Sequence, residues 1–327
     1  MKLLGIDIGG TKTAVCAGDE SGRLLASHRM PTPTDADTYR RHLLDACRRV
    51  VKEVGWRMSE VTAVGIAAPG PLSVREGLLL APPNNPGFVN LPIVQIVREG
   101  LEVPVYFNND ANAAALAEWR FGHYRGVPDL VYLTFSTGMG GGVIANGRLI
   151  QGKTDSAGEF GHMVLDPQGP PCGCGLRGCW EAFVGGRMVS EQVKARIRRE
   201  ALRTQIVAEA GGDVEAITMR AVTEAYRKGD PLAVEVWTGV LERLAQGVGI
   251  ILMALDPQVL LLGTMAIRER DIVMPLLRDR LPRYAWKWPL ETCTIAPATL
   301  GERIGDLAGL AVAAVGKESD AKGAPLS

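Results

Sequence analysis

One imidazole and three thiols recur in a short stretch, in the order His162-x9-Cys172-x-Cys174-x4-Cys179. Thiolates joined by an imidazole suit a tetrahedral Zn²⁺ ion. Glycines flank the thiols, in Cys172-Gly173-Cys174-Gly175 and in Gly178-Cys179. They let the chain wrap tightly around an ion. Four protein ligands close the coordination shell, so the expected zinc is structural. The competing reading is a set of buried or redox thiols. Clustering in a chain expected to occupy a reducing compartment favours the metal. The other cysteines, Cys16, Cys47 and Cys293, read as small buried hydrophobes.

Carboxylates bracket that knuckle. Glu159 and Glu181 lie on either side of it, and a metal-bound His162 keeps its second ring nitrogen for another hydrogen bond. Two carboxylates and one imidazole nitrogen can take the vicinal hydroxyls of a sugar; the alternative is a pair of surface acids. Two glycine-rich turns supply a different chemistry. Gly9-Gly10-Thr11 and Thr137-Gly138-Met139-Gly140 each follow an apolar run. Turned amides of this kind form an anion-binding nest, and two in matching positions favour a phosphate over a plain tight turn. Neither fits a Walker A or dinucleotide-binding pattern. Asp7 precedes the first turn, where a carboxylate beside a phosphate calls for a bridging Mg²⁺; an Asx turn is the bland alternative. Asp110, after Asn109, lies between a strand end and a helix start. It is either a helix N-cap or the general base of a phosphoryl transfer, with Asn109 donating to a sugar hydroxyl.

These groups need elements to hold them. Apolar runs predict strands at Leu3–Ile8, Thr13–Ala17, Arg23–His28, Val61–Ala67, Val103–Phe107, Leu130–Phe135 and Val259–Leu262. Helical spacing marks Tyr39–Val54, Ile93–Glu99, Ala111–Arg120, much of 187–228 and Ile304–Val315. Asp230-Pro231 opens a long helix, with Asp as N-cap and Pro at its first position. The order strand, glycine turn, strand, turn occurs at 3–25 and again at 130–150, ending Gly22-Arg23-Leu24-Leu25 and Gly147-Arg148-Leu149-Ile150. This echo predicts two similar α/β domains facing a cleft. The expected division is 1–110 together with a C-terminal helix at about 303–316, then 111–302 with the knuckle, then a disordered polar tail at 317–327.

Composition closes off other classes. Lys plus Arg and Asp plus Glu both number 36, so the net charge is zero and nucleic acid is not an expected partner. No apolar stretch is expected to reach the ~20 residues of a membrane helix, and Asp7 interrupts any signal-peptide core. The expected location is cytoplasmic.

Taken together, Asp7-Ile8-Gly9-Gly10-Thr11, Pro83-Asn84, Asn109-Asp110-Ala111-Asn112-Ala113-Ala114, Thr137-Gly138-Met139-Gly140-Gly141-Gly142, Gly158-Glu159-Phe160-Gly161-His162 and the run Cys172 to Glu181 resemble the ROK family of sugar kinases and repressors, in order from about residue 3 to 315. The bacterial glucokinase branch is the most similar. The resemblance implies an actin-like ATPase (ribonuclease H-like) fold, with ATP and Mg²⁺ as well as zinc. It implies Asp110 as base on the sugar 6-hydroxyl, with Asn84, Asn109, Asp110, Glu159, His162 and Glu181 holding the sugar. Asp7, Gly9, Gly10, Thr11 and Lys12, with Thr137, Gly138 and Gly263, would serve the nucleotide, and His162, Cys172, Cys174 and Cys179 the zinc. Glucose is the expected acceptor; another hexose, an N-acetylhexosamine, polyphosphate as donor, or a sugar sensor without turnover are the alternatives. A homodimer or homotetramer is implied. The chain departs from the family at Gly263-Thr264-Met265, where glycines are frequent, and at Phe88, where Trp is frequent. It begins at the first phosphate turn, so the repressors' DNA-binding domain is not expected. The knuckle is expected to tie Glu159 to Glu181 while leaving both phosphate turns independent of it.

Overall fold

The computed structural model describes residues 1–82 and 84–322. Its strands are β1 (Lys2–Ile8), β2 (Lys12–Asp19), β3 (Leu24–Pro31), β4 (Ala63–Ala68), β5 (Leu72–Ser73), β6 (Leu78–Leu79), β7 (Val105–Asn109), β8 (Leu130–Phe135), β9 (Met139–Ala145), β10 (Arg148–Leu149), β11 (Val259–Leu262) and β12 (Thr294–Pro297). Its α-helices are α1 (Ala36–Glu53), α2 (Ile93–Leu101), α3 (Asp110–Phe121), α4 (Trp180–Val184), α5 (Gly186–Glu200), α6 (Gln205–Glu209), α7 (Met219–Arg227), α8 (Pro231–Leu255), α9 (Met265–Arg268), α10 (Arg270–Arg280), α11 (Lys287–Thr292) and α12 (Ile304–Ala321). Two five-stranded sheets have the orders β3-β2-β1-β4-β7 and β10-β9-β8-β11-β12. The sequence echo is therefore real at the level of topology: third, second, first, then two later strands, twice.

Contacts divide the chain into two compact units, one of Met1–Tyr132, Gly142–Gly158 and Ala298–Ser327, the other of Leu133–Gly141 and Glu159–Pro297. The boundary expected after residue 110 is not where contacts divide the chain, because α3 packs on α12 and remains with the first sheet.

In the first unit β1 runs antiparallel to β2 and parallel to β4, and β4 runs parallel to β7. β4 is buried along its whole length, as a strand covered on both faces must be. Pleat alternation sends Leu4, Ile6 and Ile8 into a core shared with α1 and α2. Gly5 lies on the other face, against α12, and so does Asp7 by the same alternation. A Cβ at Gly65 would stand 2.1 Å from the Gly309 carbonyl, so helix and sheet meet there backbone to backbone. The expected disordered tail at 317–327 is corrected in part: α12 continues through Ala321. Glu318 pairs with Arg120 at 2.6 Å, and Asp320 accepts the Tyr106 hydroxyl. Residues 323–327 lie outside the described residues.

The second unit is built around α8, which packs on α4, α7 and α10. Asp230 caps it as expected, accepting the Ala233 N–H at 2.9 Å. Trp180 and Trp237 are fully buried there, and a Cβ at Gly247 would strike the Trp180 ring. At 25 residues, with an 18-residue stretch of mean hydropathy 1.4, α8 has the length and composition of a membrane span, contrary to the sequence reading that no stretch approaches one. Half of that stretch is buried inside the unit, as in the central helix of a packed domain.

Candidate functional site

In the first unit the chain between β1 and β2 forms the Gly9-Gly10-Thr11 turn. Gly9 N–H closes it on the Lys12 carbonyl at 2.9 Å. The carbonyls of the turn are each held. Thr32 donates its hydroxyl to Gly9 O at 2.9 Å and its N–H to Thr11 O at 3.0 Å, and Asn85 Nδ2 donates to Gly10 O at 3.3 Å. In a trans peptide the C=O and the following N–H point in opposite directions. Fixing the Gly9 and Gly10 carbonyls therefore fixes the N–H groups of Gly10 and Thr11 on the other side. Neither N–H has a backbone partner among the described residues. Thr11 and Lys12 are exposed beside them. Two consecutive N–H groups outside the backbone ladder are what an anion nest requires.

Asp7, at the end of β1, adjoins that turn. Burial pushes its carboxyl up to about 7, the carboxylates of Asp110 and Asp306 push the same way, and Arg29 opposes. A Cβ on Gly305 would stand 2.7 Å from Asp7 Oδ2, so the start of α12 lies against this carboxylate. Arg29 pairs with Asp306 at 3.1 Å. A cation beside Asp7 would relieve the repulsion from Asp110 and Asp306.

Strand β7 runs two residues beyond its predicted end, to Asn109. Asn109 is the N-cap of α3, its Oδ1 accepting the Asn112 N–H at 2.6 Å. The N-cap reading for Asp110 therefore fails. Asp110 is the first helical residue, exposed, with Oδ1 accepting the N–H of Ala111 at 2.8 Å. Its carboxylate gains from the helix N-terminus without being consumed as the cap. Asn84 is exposed and packed on the Gly9-Gly10 turn: a Cβ at Gly10 would approach Asn84 Cβ to 2.5 Å.

In the second unit the Thr137-Gly138 turn repeats the same construction with different parts. Gly186 N–H donates to Ser136 O at 2.8 Å and Arg187 N–H to Thr137 O at 3.1 Å, both from the start of α5. The N–H groups of Thr137 and Gly138 are thereby turned away and have no backbone partner among the described residues. Gly263 hydrogen-bonds Leu133 O at 2.8 Å, and Thr264 follows at φ +47°, a conformation that a β-branched residue rarely adopts.

The knuckle lies in this unit too. The ligand atoms of His162, Cys172, Cys174 and Cys179 all fall within 4.8 Å of one another. His162 Nδ1 is 3.7 Å from Cys172 Sγ, and the Cys174 and Cys179 sulfurs are 3.6 Å apart. A tetrahedral ion with metal–sulfur bonds of about 2.3 Å has edges of roughly 3.6–3.8 Å, so the group fits zinc. Nδ1 is the ring atom on the thiol side, which leaves Nε2 for another partner. Burial pushes the Cys179 thiol up to about 12 and raises Cys172, so these two favour the neutral form unless a cation compensates, while the Leu176 N–H lowers Cys174.

Glu181 sits in α4, two residues after Cys179, and its contacts are wider than expected. Its Oε2 accepts the Met139 N–H at 2.9 Å, and a Cβ on Gly138 would meet the same oxygen at 2.5 Å. A Cβ on Gly161 would in turn collide with the Met139 carbonyl at 2.1 Å. The expectation that both phosphate turns are independent of the knuckle is thus corrected for the second one, which is fastened to the knuckle on both sides. Glu159 is exposed at the start of the short 3₁₀ turn that carries His162. Sequence reasoning missed Asn85, Thr32, Gly305 and Asp306. Asn85 had a signal as the neighbour of Asn84; Thr32 lies 23 residues from Gly9 with no motif, and Gly305 and Asp306 lie near the other end of the chain.

The sequence profile of the ROK family matches residues 3–315. A glucokinase of Streptomyces coelicolor is 33% identical over 306 residues, covering 92% of this chain and 94% of the relative. An N-acetylmannosamine kinase of Citrobacter koseri is 37% identical over 221 residues, 67% of this chain and 73% of the relative. Among solved structures, a ROK hexokinase from Thermus thermophilus is 34% identical with a TM-score of 0.85, covering 98% of this chain and 100% of that one. A ROK family glucokinase from Streptomyces griseus, in complex with glucose and AMPPNP, is 30% identical with a TM-score of 0.77, covering 96% and 99%.

Proposed function

This chain belongs to the ROK family and has its actin-like ATPase fold, and from that premise we propose that it is an ATP-dependent hexose kinase forming glucose 6-phosphate from glucose. The observation that carries the reading is the repeated turn. Twice, two consecutive carbonyls are held by other parts of the chain, and the two N–H groups that follow them have no backbone partner among the described residues. A pure sugar sensor needs no such pair. We assign Gly9, Gly10, Thr11 and Lys12, with Thr137 and Gly138, to the phosphates, and Gly263 to the nucleotide. Asn84, Asn109, Glu159, His162 through Nε2, and Glu181 through its Oε1 hold the sugar hydroxyls. Asp110 orients the 6-hydroxyl and accepts its proton as the phosphoryl group arrives. Asp7 would hold a Mg²⁺ ion, which when bound would neutralise charge on the phosphates. A zinc ion at His162, Cys172, Cys174 and Cys179 has a structural role, fixing Glu181 and through it the second turn.

The N-acetylmannosamine kinase similarity keeps one competing acceptor in view. Comparing kcat/KM for glucose, mannose and N-acetylmannosamine with ATP, read by ADP release, decides between them. Glucose is expected to lead by at least tenfold, a discrimination of about 1.4 kcal/mol in transition-state binding. A lead for N-acetylmannosamine would replace the glucose reading.

A further inference from the structure

The loop that carries Asn84 makes a second contact with the first phosphate turn, one for which its sequence offers no stability reason. Asn85 is buried to 1% exposure. Its backbone N–H bonds Pro82 O and its carbonyl accepts from Phe88 N–H, both at 2.9 Å, so the loop is closed by main chain alone. Its side chain donates Nδ2 to Gly10 O at 3.3 Å, while Oδ1 is buried without a partner among the described residues. A buried, unmatched acceptor costs about 1–3 kcal/mol, and a leucine would fill the same space without that cost. The side chain here serves a connection.

A second connection runs from the same loop to the neighbouring carbonyl. Phe88, fully buried, packs on Tyr39 with ring centroids 4.6 Å apart. Tyr39 OH lies 3.2 Å from Thr13 Oγ1, Thr13 Oγ1 lies 2.9 Å from Thr32 Oγ1, and Thr32 donates to Gly9 O. Each hydroxyl has one proton, so committing that of Thr32 to Gly9 O orders the whole chain. Thr13 must donate to Thr32, and Tyr39 to Thr13. Burial raises the Tyr39 phenol, which keeps it protonated as the donor. The far end of the loop is pinned as well, since a Cβ on Gly87 would stand 1.8 Å from Thr34 O. Two arms from one loop thus end on consecutive carbonyls, those of Gly10 and Gly9, and these set the phosphate-facing N–H groups.

We propose that Asn85 is a positioning residue that couples occupancy of the 84–90 loop by sugar to the geometry of the first phosphate turn, so that nucleotide binds more tightly once sugar is present. The proposal rests on the kinase reading above. Glucose bound to Asn84 acts on Asn85 one residue away, and through Gly10 O on the Thr11 N–H.

Calorimetric titration of the full chain with Mg²⁺ and AMPPNP, with and without saturating glucose, tests this. Wild type is expected to bind AMPPNP about tenfold more tightly with glucose, within the usual range of coupling between two sites. Asn85→Leu, which keeps the branched shape and removes the donor, should bind glucose within about threefold of wild type yet lower the AMPPNP gain below about twofold. A merely structural role would shift both affinities and leave their ratio alone. A folded Asn85→Leu protein with the wild-type ratio overturns the coupling. If Asn85→Leu does not fold, Thr32→Val, which cuts the other arm, decides by the same criterion. Wild type that binds both ligands without any gain also overturns it. Wild type that binds neither glucose nor AMPPNP instead removes the kinase reading on which it stands.

Discussion

At the scale of single residues, the assignments turn on what each polar atom is already committed to. Asn109 spends its oxygen on capping α3, which frees Asp110 from that duty and leaves it exposed at the first helical position. Asp110→Asn keeps the size and the helix start but removes the base. It is expected to lower kcat by 10²–10⁴-fold with sugar affinity little changed; turnover within about threefold of wild type would exclude Asp110 as the base. Asp7 makes a separate claim on pH. Burial, then Asp110 and Asp306, raise its carboxyl from 3.8 to about 7 in the folded protein without bound cation. A raised carboxyl stabilises the fold below its unfolded value and loses that contribution as pH rises through the folded one. Without nucleotide or Mg²⁺, the wild-type Tm should therefore fall between about pH 4 and pH 7 relative to that of Asp7→Asn. Parallel Tm curves for the two proteins would show that Asp7 is not under this pressure.

At the scale of elements, the knuckle and the second turn form one piece. α4 begins at Trp180, immediately after Cys179, and Glu181 within it carries the Met139 N–H. Loss of the metal should release that carboxylate. Cys174→Ser is thus expected to raise KM for both sugar and ATP, rather than for sugar alone, in a folded, zinc-depleted protein. An unchanged KM for ATP would detach the turn from the knuckle. Thr264 stores strain at φ +47° where the chain leaves β11 for α9. Thr264→Gly should relieve about 1 kcal/mol or more, read as a rise in urea midpoint; no rise would mean that neighbouring contacts make up the difference. The elements around these sites were legible to unequal degrees. β1, β4 and β8 are buried apolar runs and announce themselves. β12 does not: Thr294 is exposed and the other residues are half-buried, with neither alternation nor a continuous apolar run to mark it. The stretch 187–228 reads as one helical region but breaks into α5, α6 and α7, with Gly211 and Gly212 at positive φ between the last two.

At the scale of the whole molecule, the sequence echo at 3–25 and 130–150 foretells the most informative feature, one strand order used twice. Each copy places a phosphate-type turn after its first strand, so the two turns pair on sequence pattern alone. What holds the turns was not legible. Thr32 and Asn85 serve the first, the Gly186 and Arg187 amides the second, and these partners share no motif because only their donor atoms matter. Gly305 and Asp306 reach Asp7 across almost the whole chain length, through the return of α12 to the first sheet. Transfer of the terminal phosphoryl group of ATP to a sugar hydroxyl by this chain is tested most directly by ³¹P NMR of the purified protein with Mg²⁺, ATP and glucose. A sugar phosphomonoester resonance should grow in step with ADP and be absent when glucose is omitted. ATP that stays intact, or that yields only inorganic phosphate, with glucose and with the other hexoses alike, would contradict the kinase assignment.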